Sequence, residues 1–135
     1  MTSVVIYKGD LRTELIHLKS DQLVENDAPT DNNGKGQRFS PTDIVATSLA
    51  SCMLTVMGIK AQSMNQETLM LGAKADVKKT MASEPRRISK IEVNITMAKK
   101  ASDKEKSILE NTAKTCPVAK SLHPDIEQVL QFKWV

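Results

Sequence analysis

Between Ile44 and Ile59 the chain carries no charged side chain. The stretch opens on Ser40-Pro41-Thr42-Asp43, a strong helix start. Ser40 can cap with its hydroxyl, Pro41 suits the first helical position, and Asp43 sits where an acid reaches back to the cap. The pattern predicts a helix running to about Met64, roughly 36 Å long at 1.5 Å per residue. A helix on the surface of a globular chain shows a charged face, so one without it is expected to be covered on most sides. Val45, Ala46, Leu49, Met53, Val56 and Met57 fall on one arc; Thr47, Ser48, Ser51, Thr55 and Gly58 form a strip of small side chains opposite. Small residues let another backbone approach closely, and the chain has few other long helices to fill that place. The expected partner is the same helix of a second copy. The four hydroxyl residues interrupt the apolar run and leave it short of the roughly 18 apolar residues of a membrane span, so no membrane partner is expected.

The remaining pattern fits one domain over residues 1–135. Apolar residues make up 40% of the 135, enough for a core without staples. Aromatic residues make up only 3%, too few for stacking platforms on single-stranded nucleic acid. The net charge of +3 is uneven: residues 1–67 hold 6 basic and 8 acidic side chains, residues 68–135 hold 13 and 8. In the basic half the two signs interleave, as in Lys104-Glu105-Lys106, which describes a solvated face and no nucleic-acid partner. Met1-Thr2-Ser3 leads directly into Val4-Val5-Ile6-Tyr7 with no basic region before a long apolar one, so a cytoplasmic location is expected.

Strands are expected at 3–7 and 11–18, joined through Gly9-Asp10, with a further short strand at 20–25. On the second strand Arg12, Glu14 and Ile16 share one face. Residues 26–38 are crowded with Asp, Asn, Gly and Pro and predict no regular structure. Alternation predicts strands at 71–80 and 88–98, the latter with Ile91, Val93, Ile95 and Met97 inward. Ser102 and Glu105 open a second helix toward Lys114, and Cys116-Pro117 starts a short third one that ends near Leu122. A last strand runs from Ile126 to Val135. This mixture is an α+β chain.

Cys52 and Cys116 dominate the chemical inventory, and two readings of them stand side by side. Free cysteines are often inert core residues; in a reducing compartment a pair is also a candidate for redox work. Cys116 at a helix N-terminus could be held as a thiolate, whereas Cys52, mid-helix, needs a cation from elsewhere. Arg12 is the one basic residue between 9 and 18. Cys52, Cys116, His17 and His123 form no C-x₂-C or H-x₃₋₅-H pair, so no metal is expected. His123 beside Pro124 reads as a helix-end cap. Gly34-Lys35-Gly36 lacks the context of a phosphate loop.

Four segments in order resemble the OsmC/Ohr family: Tyr7–Arg12, Asp27-Ala28-Pro29, Phe39–Cys52 and Cys116–Leu122. The sequence is closer to the OsmC-like branch than to the organic hydroperoxide resistance branch. The resemblance implies an α+β fold of antiparallel strands wrapped around long central helices, in an intertwined homodimer with two active sites at the interface. It also implies thiol-dependent reduction of organic hydroperoxides, without a cofactor, with an external dithiol as reductant. By position Cys52 matches the peroxidatic cysteine, Cys116 the resolving cysteine, and Arg12 the arginine that stabilises the thiolate. The glutamate that holds this arginine in the hydroperoxide resistance branch is replaced by Thr42, which leaves Asp43 and Glu14 as candidate partners of Arg12. Two alternatives remain beside the peroxidase. One is a redox-sensing or stress-associated binding protein using the same pair; the other is a structural dimer with inert thiols.

Overall fold

The alternating N-terminal segments form a three-stranded antiparallel sheet in the order β1-β2-β3 in a computed structural model that describes residues 1–135. β1 (Ser3–Gly9) and β2 (Arg12–His17) meet at a two-residue turn, Asp10-Leu11, with φ of 52° and 60°. That is one residue later than expected. Strand twist favours positive φ at both central positions of a tight hairpin, and here the requirement falls on Leu11, a residue type that resists it. Gly9 instead takes φ 87° where the register slips between Tyr7 and Gly9. β3 (Leu23–Asp27) extends beyond its expected end and sets Arg12 directly opposite Asp27. The following loop is not wholly irregular. A 3-10 turn at Thr30–Asn32 forms where the amides of Asn32 and Gly34 both reach Pro29 O. Gly34 is required there, because a Cβ would sit 1.7 Å from Ala28 O.

The chain divides into two compact units, Met1–Val45 and Ala46–Val135. The first contains the sheet, the loop and the opening of α1 (Pro41–Ser63). The capping pair forms as the sequence suggests: Asp43 N–H donates to Ser40 Oγ at 3.1 Å, and Ser40 N–H donates to Asp43 Oδ2 at 2.9 Å.

In the second unit α1 buries Ala46, Leu49, Ala50, Met53, Met57 and Ala61. The opposite side, with Thr47, Ser51, Thr55 and Ile59, is exposed. Within one chain, then, the helix is covered along one stripe rather than on most sides. Its uncharged outer face lies open. By length and composition alone α1 could cross a membrane, but its inner stripe forms the core of this unit. Facing it is a sheet of β4 (Lys74–Ala82), β5 (Arg87–Met97) and β6 (Glu127–Trp134) in that order. A short 3-10 turn at Glu67–Met70 delays β4 past its expected start. Ile91, Val93, Ile95 and Met97 of β5 are at most 1% exposed, as alternation predicts. Each such side chain contributes about 1.5–3 kcal/mol by leaving water.

β4 runs antiparallel to β5, whereas β6 runs parallel to it. A parallel neighbour needs a long crossover, and here it carries α2 (Asp103–Ala113) and α3 (Pro117–Ser121). Ser102 and Glu105 form the expected capping box, and Leu109 and Ala113 add to the core. Trp134 Nε1 donates to Glu110 Oε1 at 2.8 Å, tying the end of β6 to α2.

Candidate active site

The candidate residues fall into two clusters, one in each unit. In the first, the β2–β3 register brings Arg12 to Asp27, and the guanidinium grips the carboxylate with both ends. Nε donates to Oδ1 at 2.6 Å and Nη2 to Oδ2 at 2.9 Å. Gln37 completes the arrangement: its N–H donates to Asp27 Oδ2 at 3.1 Å, and its Oε1 accepts from Arg12 Nη2 at 3.2 Å. Asp27 is 1% exposed and Arg12 about a fifth. A planar fork on a carboxylate fixes orientation as well as charge. The hydrogen bonds from Arg12 hold the Asp27 carboxyl below its ordinary pKa against the opposing effect of burial, and the same contact raises Arg12.

Neither acid that the sequence suggested holds Arg12 in this structure. Asp43 is the capping acid of α1. Glu14 lies 3.9 Å from Lys8 Nζ and opposite Glu25 in the register. Asp27 and Gln37 are the residues that sequence reasoning missed. The signal for Asp27 was available: extending the third strand to residue 27 pairs it with Arg12.

In the second unit both cysteines are free, Cys116 buried and Cys52 partly exposed. Cys116 is the N-cap of α3, and its sulfur accepts from Ala119 N–H at 3.4 Å. Its thiol donates toward Leu49 O on α1 at 3.9 Å, a long contact. The Cys52 thiol is close enough to act on it electrostatically. Residues far apart in sequence thus meet where α3 lies against the middle of α1. Burial pushes the Cys116 thiol above its ordinary pKa, and Cys52 adds to the rise. The N–H groups of Ala119 and Val118 pull the other way and lose. The helix-terminus expectation for Cys116 therefore reverses: a single turn of helix does not outweigh desolvation, and Cys116 rests as a neutral thiol.

A cleft of about 290 Å³ in this unit is lined by Met53, Lys114, Ala119, Gln128 and Leu130. In the first unit a broader, open groove of about 570 Å³ runs past Leu23, Val24, Gln37 and Phe39. The histidines stand apart from both clusters. His17 Nδ1 is 2.7 Å from Ser20 Oγ, and His123 Nδ1 accepts from Asp125 N–H at 3.1 Å, a turn-closing role at the end of α3.

The structure is thus a mixed α+β chain that carries one buried and one partly exposed free thiol. The family model for OsmC-like protein matches residues 34–130, and the chain belongs to that family. It is similar to a crystal structure from Psychrobacter arcticus 273-4 of a protein described as an osmotic stress induced and detoxification response protein. The two are 53% identical, with 98% of this chain and 96% of that one covered and a TM-score of 0.94. Two more distant structures share the fold. An organic hydroperoxide resistance protein OsmC from Legionella pneumophila is 13% identical over 98% and 97% of the chains, with a TM-score of 0.76. The organic hydroperoxide resistance protein OhrB of Bacillus subtilis is 15% identical over 98% of each, with a TM-score of 0.63. Among curated proteins none matches the chain.

Proposed function

We propose that this protein is a thiol-dependent peroxidase that reduces organic hydroperoxides. The observation that carries this reading is the contact between a partly exposed Cys52 and a buried, neutral Cys116. The Cys52 thiolate attacks the terminal oxygen of the hydroperoxide; the O–O bond breaks, the alcohol leaves with a proton, and Cys52 becomes a sulfenic acid. Cys116 then condenses with it, forming an S–S bond and releasing water before further oxidation. An external dithiol returns both thiols by exchange. To Arg12, aimed by Asp27, the family resemblance gives the role of stabilising the thiolate and polarising the peroxide.

The working form is a homodimer of single-domain subunits in the cytoplasm. Its support is the uncharged outer face of α1 together with the exposed apolar residues of the first sheet, such as Val5 and Leu23. Surfaces of this kind on one chain call for a partner. The neutral state of Cys116 favours one alternative, a redox sensor that closes its disulfide slowly. Steady-state consumption of cumene hydroperoxide with a dithiol separates the two. Turnover that disappears in Cys52→Ser supports the peroxidase, and full turnover in that variant refutes it.

A further inference from the structure

A guanidinium carries N–H donors on three nitrogens, and those of Arg12 are used unequally. Nε donates to Asp27 Oδ1 and Nη2 to Asp27 Oδ2. The other Nη2 hydrogen goes to Gln37 Oε1 at 3.2 Å. Nη1 takes part in none of these bonds and keeps both of its hydrogens. Asp27 alone would leave the far end of the fork open, with one hydrogen of Nη1 and one of Nη2 side by side. Gln37 closes half of that end.

The main chain explains why Gln37 can hold this place, since it is anchored on both sides. On one side Gly36 N–H donates to Ala28 O at 3.2 Å. Gly36 has φ 61°, and a Cβ there would meet Thr30 Cγ2 at 2.8 Å. On the other side Asn26 Nδ2 and Asp27 N–H both donate to Phe39 O, at 3.3 and 3.1 Å. Between these anchors Gln37 N–H donates to Asp27 Oδ2 at 3.1 Å. Its backbone steadies the acid and its side chain steadies the arginine. Every one of these contacts lies within one chain, so none depends on a surface that a second subunit covers.

We propose, resting on the peroxidase reading, that Gln37 is a positioning residue: with Asp27 it commits Nε and both hydrogens of Nη2, so that Arg12 offers Nη1 alone to the reacting atoms. An arginine with several open donors can meet a peroxide in several ways, and the rate falls as the population spreads over unproductive ones. Donors committed before the substrate arrives need no reorganisation during the reaction. The bond to Gln37 comes from a charged donor, which makes it stronger than one between neutral groups.

The test uses full-length Gln37→Met and Gln37→Ala, which drop the side-chain acceptor and keep the backbone N–H on Asp27. Gln37→Glu keeps an acceptor within reach of Nη2. Gln37 is exposed, so all three should melt within about 2 °C of wild type. With dithiothreitol as reductant, kcat/KM for cumene hydroperoxide should fall about tenfold in the Met and Ala variants and return to within about threefold in Gln37→Glu. Nitrogen-15 NMR of the Arg12 guanidinium, identified by the signals lost in Arg12→Lys, supplies a readout that loss of fold would not mimic. Interchange of the two Nη2 hydrogens should be at least about fivefold faster in Gln37→Met than in wild type or Gln37→Glu. Wild-type kcat/KM in Gln37→Met, a Glu variant no better than Met, or unchanged interchange overturns the inference and leaves the peroxidase reading standing. A wild-type protein without turnover removes that reading and the inference with it.

Discussion

Leu49 is the residue whose truncation tests the enclosure of Cys116 most directly. It has no exposed surface, its side chain belongs to the core of the second unit, and its carbonyl faces the Cys116 thiol. Leu49→Ala removes three carbons, and at about 0.8 kcal/mol per buried methylene the transfer cost is about 2.4 kcal/mol. The space left behind, if half of it persists, adds about 1 kcal/mol at roughly 24 cal/mol per Å³. The expected loss is about 3–4 kcal/mol. An unfolding entropy of about 2.1 cal/mol/K per residue turns this into a Tm lower by roughly 11–14 °C. Urea unfolding and thermal melting at one fixed protein concentration measure it, with Ile59→Ala as comparison. Ile59 is 61% exposed on the outer face of α1, so within one chain its truncation costs less than about 0.5 kcal/mol. A larger loss at Ile59 marks a covering partner. Alkylation supplies a second readout, since the gap beside Cys116 should speed its labelling relative to wild type. A loss below about 1 kcal/mol at Leu49, with Cys116 labelled no faster, would refute the sealed environment on which the roles of the two thiols rest.

Three further outcomes follow from the geometry. Asp27→Asn should lower stability at neutral pH. Because the folded carboxyl is held below its ordinary 3.8, its contribution is present above that pH and lost as pH falls through the folded value; the gap between variant and wild type in melting scans should therefore shrink below about pH 4, and a constant gap refutes the pairing with Arg12. Gly34→Ala places a carbon against Ala28 O and should cost at least about 1–3 kcal/mol, with faster proteolysis within residues 28–38; an unaffected variant shows that this loop packs otherwise. Thr55→Glu puts a charge on the outer face of α1 and should convert a two-chain species to one chain in sedimentation; an unchanged mass rejects that face as the dimer contact.

Local signals in the sequence translated directly into structure. Ser40 with Asp43 and Ser102 with Glu105 marked helix starts because capping is decided by residues three apart. Alternation marked the buried face of β5 because period two needs no knowledge of neighbours. What the sequence hid is what depends on partners. Leu11 accepts positive φ because the twist of β1 and β2 demands it, against local preference. The parallel direction of β6 is a property of the crossover and leaves no mark within residues 127–134. In the candidate site, both cysteines and Arg12 were legible by type and position, while the acid holding Arg12 followed from a strand register two residues longer than the pattern suggested. The state of Cys116 turned on burial, which a helix-dipole argument cannot see.

The parallel closure of β6 has a bearing on how the chain comes into being. Synthesis proceeds from the N-terminus, so the segment bearing Cys116 leaves the ribosome before the strand whose Gln128 fastens α3. Until β6 emerges, Cys116 lacks that clasp, and a nascent chain presents both thiols to its surroundings. A polypeptide cut short before β6 would carry the same two cysteines without the enclosure that makes one differ from the other.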